Sequence, residues 1–113
     1  ARRLAAADVV ISTLPAHAAD PLEGPLRQAL ARAEGTRAGA VMLDVVYAPW
    51  PTAVAGAWAD AGGALAPGWL MLLHQAAPQV QLMTGRQPDI ECMRAALRSA
   101  LPPPSTTPVR TND

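Results

Sequence analysis

The chain has 113 residues, 50% of them hydrophobic, and a formal net charge of zero without any basic block. The length bounds it to one domain's worth of structure. The charge balance gives a nucleic acid or an anionic membrane surface no electrostatic hold, so neither is expected as a partner. All nine cationic side chains are arginine and lysine is absent, so chemistry that needs a lysine cannot come from these residues. With no phenylalanine, the core must be built from Leu, Val, Met and three Trp. The single cysteine, Cys92, cannot close an internal disulfide, and no Cys/His spacing suggests zinc or another metal, so a reducing, cytoplasmic setting is expected. The longest strongly apolar run, Trp69 to Leu73, falls far short of the ~20 residues that span a bilayer. Arg2 and Arg3 imitate the start of a signal sequence, but Asp8 interrupts too early. With no initiator Met, the sequence reads as a part of something longer.

In chain order, residues 1–6 read as the end of a helix. Ala7–Pro15 is a β-branched run closed by proline, the pattern of a strand buried on both faces of a parallel sheet. Asp20-Pro21-Leu22-Glu23 offers a helix start, with Leu22, Leu26, Leu30 and Ala33 on one face and Gly35 and Gly39 ending it. Ala40–Tyr47 is a second buried strand. Ala48-Pro49-Trp50-Pro51 comes next as a stiff extended turn, since each residue before a proline is pushed out of the helical region. Thr52 is a good N-cap for a helix over 53–61 with Val54 and Trp58 facing inward, stopped by Gly62-Gly63. Ala64-Leu65-Ala66 is a short third strand. A long helix runs from Trp69 to about Thr84, with a kink expected at Pro78, and stops at Gly85. A last helix runs from Pro88-Asp89 to about Leu101, with Ile90, Met93, Leu97 and Leu101 on one face. The Pro-, Ser- and Thr-rich residues 102–113 predict a disordered tail.

Alternating strands and helices argue for an α/β fold with a parallel sheet and right-handed crossovers. Three strands with flanking helices look like half of a doubly wound, Rossmann-like sheet, followed by two C-terminal helices. No Gly-x-Gly-x-x-Gly occurs, so the half that binds a dinucleotide pyrophosphate is missing.

Taken by themselves, several candidate residues have ordinary roles. Ser12 and Thr13 fit the satisfaction of backbone groups at a strand end, Met71 a core position, and Gly68 a turn. Gln75 fits a solvated helix position and Tyr47 an interface aromatic. His74 lies about 100° around the helix from Gln75, which favours a surface position over a general base. His17 lies in a loop with no visible partner, and Asp44 reads as a residue that fixes loop geometry.

Two stretches together carry a resemblance. Asp44-x-x-Tyr47 ends a strand, and Gly68-x-x-Met71-Leu72-x-x-Gln75-Ala76 opens a helix. The pair resembles the C-terminal part of shikimate dehydrogenase, the NADP-dependent enzyme that reduces 3-dehydroshikimate, over roughly residues 5–101. The resemblance implies that Tyr47 and Gln75 bind the hydroxyl groups of shikimate or 3-dehydroshikimate. It implies a cofactor wall of Ser12, Thr13, Leu14, Val45, Gly68 and Met71 around the nicotinamide end of NADP. It further implies a partial cofactor domain over 1–68 and C-terminal helices over 69–101 that pack on the substrate side. The family's catalytic lysine and aspartate belong to its N-terminal domain, so no catalytic residue is expected here and the chain alone is expected to be inactive. Pro67, Leu70 and Ala53 depart from the family's usual residues. A missing N-terminal domain would leave a strand edge exposed, through which the chain is expected to self-associate. The rival expectation is a non-catalytic α/β interaction module that kept the fold and lost the chemistry.

Overall fold

A computed structural model of the chain describes residues 1–103. The expected tail falls largely on residues 104–113, outside that range. A short helix, α1 (Arg2–Ala5), leads into strand β1 (Val9–Ser12). A 3-10 turn at Asp20–Leu22 runs directly into helix α2 (Glu23–Arg32), followed by strand β2 (Val41–Asp44) and helix α3 (Ala53–Asp60). Strand β3 (Ala64–Pro67), helix α4 (Gly68–Thr84) and helix α5 (Ile90–Ala100) complete the order.

The strands form one parallel sheet in the order β1-β2-β3. Ser12, Asp44 and Pro67 stand level at its C-terminal edge. Val10 and Met42 point into a core built with Leu26, Leu30, Val54 and Trp58 from α2 and α3. The inward period of α2 is carried by Leu26, Ala29 and Leu30. Leu22 lies in the 3-10 turn and is 40% exposed, and Ala33 is also exposed, so the apolar face is shorter than the sequence pattern suggests.

Contrary to the sequence pattern, burial of β1 is one-sided. β1 is not buried on both faces, for Val9 is 65% and Ile11 61% exposed, against 8% for Val10. Successive side chains in a strand alternate between faces, and α2 and α3 pack on the face that Val10 shares. The opposite face of β1 carries no such cover among the described residues.

The helix boundaries obey local chemistry. Thr52 accepts a hydrogen bond from the Ala55 amide at 3.2 Å and so caps α3. Asp89 does the same for α5 through Cys92 N–H at 3.0 Å. α4 continues through Pro78 and ends at Gly85, whose φ of 68° lies in the left-handed region that favours glycine at a helix end. Arg27 on α2 reaches Asp60 on α3 at 2.8 Å and Glu23 at 3.0 Å, and these bonds, Asp60 foremost, raise its pKa above the ordinary arginine value.

Candidate functional site at the C-terminal edge of the sheet

In open parallel sheets, ligands bind beyond the C-terminal ends of the strands, because the loops there are free of the returning helices. In this chain the edge is formed by the segments that leave Ser12, Asp44 and Pro67. The Ser12 carbonyl accepts a hydrogen bond from Val45 N–H at 3.1 Å, which carries the β1–β2 pairing one residue past the strands. Gly68 opens α4 directly against the same segment. A Cβ on Gly68 would stand 2.7 Å from the Asp44 carbonyl oxygen and 2.8 Å from the Val45 Cα. Only glycine lets the helix start this close to the strand end. The structure therefore brings Ser12, Val45 and Gly68 together, with Thr13 and Leu14 continuing the edge as exposed residues.

α4 carries three of the candidates on one stripe. Gly68, Met71 and Gln75 are spaced i, i+3 and i+7, which places them on one helical face. Met71 is half-buried and Gln75 exposed, as is His74 on the neighbouring face. Among the described residues no side chain caps the first turn of α4, so none of them claims its amides at the edge.

Tyr47 occupies a different place. It is 42% exposed and lines a cleft of about 330 Å³ with Trp50, Trp69, Arg98, Leu101 and Pro103. The Arg98 guanidinium stacks over the Trp69 ring at 5.3 Å from its centroid, a cation–π arrangement. Gln75 does not line this cleft. Trp69 and Arg98 are far apart in sequence and meet only because α5 folds back along α4, so no local pattern announces them.

Asp44 is 1% exposed and has no route to a bound molecule. Its carboxylate is spent within the protein: Oδ1 accepts from Val46 N–H at 3.1 Å and Oδ2 from the Thr52 hydroxyl at 2.8 Å. His17 does have a partner, contrary to expectation, with Nδ1 2.8 Å from Asp20 Oδ2 on the surface. Among the described residues, no cluster of three or more His, Cys, Asp or Glu side chains could hold a metal ion. No helix among them is long and apolar enough to cross a membrane. A second concavity, of about 390 Å³, lies between the ends of α2 and α3 around Leu30, Gly35 and Ala61. Those helix ends lead toward the starts of β2 and β3, so it sits at the other edge of the sheet.

Comparison with known proteins points to one family. Residues 68–98 match the family described as the shikimate 5'-dehydrogenase C-terminal domain. Over 99 residues, 88% of this chain, the sequence is 32% identical to the shikimate dehydrogenase (NADP(+)) of Halorubrum lacusprofundi. Among solved structures, the shikimate dehydrogenase of Mycobacterium tuberculosis superposes with a TM-score of 0.64 at 40% identity, covering 82% of this chain and 32% of that one. A shikimate 5-dehydrogenase from Mycobacterium fortuitum gives the same TM-score at 43% identity, covering 82% and 31%. The chain spans about a third (34%) of the length of the curated relative. Both the sequence and the order of strands and helices thus agree with one family, and this chain belongs to the C-terminal part of the shikimate dehydrogenases.

Proposed function

We propose that this chain supplies the nicotinamide-side wall and part of the substrate wall of an NADP-dependent shikimate dehydrogenase. The observation that carries this reading is the meeting of Ser12, Val45 and Gly68 at the C-terminal edge of the sheet, within a chain 40% identical to a shikimate dehydrogenase of known structure. The residues at the edge, Ser12, Thr13, Leu14, Val45, Gly68 and Met71, carry no charge. They suit the nicotinamide ring, which carries no negative charge in either redox state, rather than the phosphates of the cofactor. NADP, when bound, supplies the hydride chemistry between its nicotinamide and the ring carbonyl carbon of 3-dehydroshikimate. Tyr47 and Gln75 act on the other reactant. A phenol hydroxyl and a carboxamide donate and accept hydrogen bonds without exchanging the transferred proton, which suits the orientation of a polyhydroxylated ring. No lysine is available in the chain for proton transfer, so that role falls to residues outside it.

The test uses the longer protein, with the coding sequence upstream of Ala1 included. It is expected to oxidise shikimate with NADP, and the 113-residue chain alone is expected to give no turnover above a blank. In the longer protein, Gln75→Ala and Tyr47→Phe should each raise the shikimate KM about five- to tenfold, the loss of one hydrogen bond worth about 1 kcal/mol. The KM for NADP should hardly move. A collapse of cofactor binding with an unchanged shikimate KM overturns the assignment of Tyr47 and Gln75. A non-catalytic α/β interaction module is the second reading, favoured by the exposed Val9 and Ile11 on the open sheet face. Turnover by the longer protein excludes it.

A further inference from the structure

We infer that Asp44 and Thr52 are positioning residues that hold Tyr47 in place, an inference that rests on the reading of Tyr47 as substrate-facing. Tyr47 lies in the loop that joins β2 to α3, and both ends of this loop are tied to one carboxylate. Asp44 Oδ1 holds the Val46 amide, immediately before Tyr47, at 3.1 Å. Oδ2 holds the Thr52 hydroxyl, at the far end of the loop, at 2.8 Å. Asp44 and Thr52 are 1% and 8% exposed, so water does not compete strongly for either bond. The Thr52 oxygen also accepts from Ala55 N–H at 3.2 Å, which fastens the clamp to the first turn of α3. Between the two ties the chain contains Pro49 and Pro51, whose rings restrict the backbone further.

Tyr47 itself has no such support. It is 42% exposed, and no hydrogen bond to its hydroxyl is found among the described residues. Its position is therefore set by the backbone of the closed loop and by the cleft wall of Trp50 and Trp69. Closing a loop at a buried point removes conformations that the free segment would sample. Removal of the Thr52 hydroxyl leaves one carboxylate oxygen buried without its partner, and the loop has to open or shift to hydrate it. A side chain that must meet a substrate hydroxyl within hydrogen-bond distance does not tolerate that shift.

Tyr47 is the chain's single tyrosine, which makes it a selective probe. The chain labelled with 3-fluorotyrosine should give one ¹⁹F resonance displaced from that of the free amino acid. Thr52→Val keeps the shape and removes the hydroxyl. It should move the resonance at least halfway toward the free position, while the far-UV circular dichroism stays unchanged. Thr52→Ser restores both bonds and should return the resonance to its original place. Asp44→Asn, which keeps volume and an acceptor for Val46, should give an intermediate shift, and it carries the comparison should Thr52→Val fail to fold. An unmoved resonance in a folded Thr52→Val, or in Asp44→Asn where Thr52→Val does not fold, overturns the clamp. The spectrum reads the surroundings of Tyr47 whatever Tyr47 binds. A held Tyr47 that proves irrelevant to the shikimate KM would defeat the functional reading and leave the clamp standing. In the longer protein, Thr52→Val should raise the shikimate KM several-fold with the NADP KM unchanged, and Thr52→Ser should recover it.

Discussion

Among the described residues, Trp58 is the largest of the fully buried side chains, and its indole N–H finds no hydrogen-bond partner there. Such a donor costs about 1–3 kcal/mol when buried unpaired, so its position needs a packing reason. Gly63 provides one. A Cβ built on Gly63 overlaps the Trp58 ring, so the indole fills the space that a side chain at residue 63 would take. Trp58 closes the core between α3 and the sheet, and the burial of so large a ring outweighs one lost hydrogen bond. Gly63→Ala should therefore displace the indole and cost about 1–3 kcal/mol, the usual range for overpacking. Urea denaturation followed by tryptophan fluorescence measures this, and an unchanged midpoint tells against the packing described.

At the scale of elements, α3 and α5 show opposite ways of holding a helix. α3 is short and buries Val54, Ala55, Ala57 and Trp58. α5 buries no residue fully and leans on α4 across a groove lined by Leu72, Met93 and Leu97. A helix with so little burial depends more on its ends. Asp89 supplies the N-terminal cap of α5, and Asp89→Ala should cost it about 1 kcal/mol. Amide hydrogen exchange should accelerate about fivefold in α5 while α2 and α3 stay protected, as local opening free energies are not shared between weakly coupled elements. Equal acceleration in all three helices shows instead that α5 melts only with the whole chain.

At the scale of the molecule, the edge strand β1 is covered well on one face only by the described residues. The Asp8 and Ser12 carbonyls accept bonds from Val41 and Val45 amides. With the alternation of a parallel ladder, the backbone groups of Val9 and Ile11 then point away from β2, toward the open edge. Their side chains, 65% and 61% exposed, lie on the uncovered face. An apolar edge strand of this kind is a ready template for another strand. The radius of gyration, 16.3 Å, also exceeds the roughly 13 Å of a compact domain of this length. The isolated chain should therefore self-associate, and Ile11→Lys, which puts a charge on that face, should shift it toward monomer. Sedimentation velocity at tens of micromolar distinguishes the species. A parental chain that sediments as a single monomer removes the argument.

What the sequence determined by itself was local. The apolar runs Ala7–Pro15 and Ala40–Tyr47 marked the first two strands, of which the sheet pairs the shorter stretches Val9–Ser12 and Val41–Asp44. Thr52 and Asp89 marked helix starts, and Gly62 and Gly85 marked helix ends, because caps and left-handed turns are decided by one or two side chains and the backbone beside them. Motif spacing was equally local, since Gly68, Met71 and Gln75 share a helical face by periodicity alone. The tertiary structure decided the features that depend on distant partners. It set which face of β1 is covered, because α2 and α3 both pack on the side of Val10. It joined Trp69 to Arg98, and it turned Asp44 inward to tie the two ends of the Tyr47 loop. Burial and pairing between residues far apart in the chain depend on how whole elements pack, and no local pattern of residue types encodes that packing.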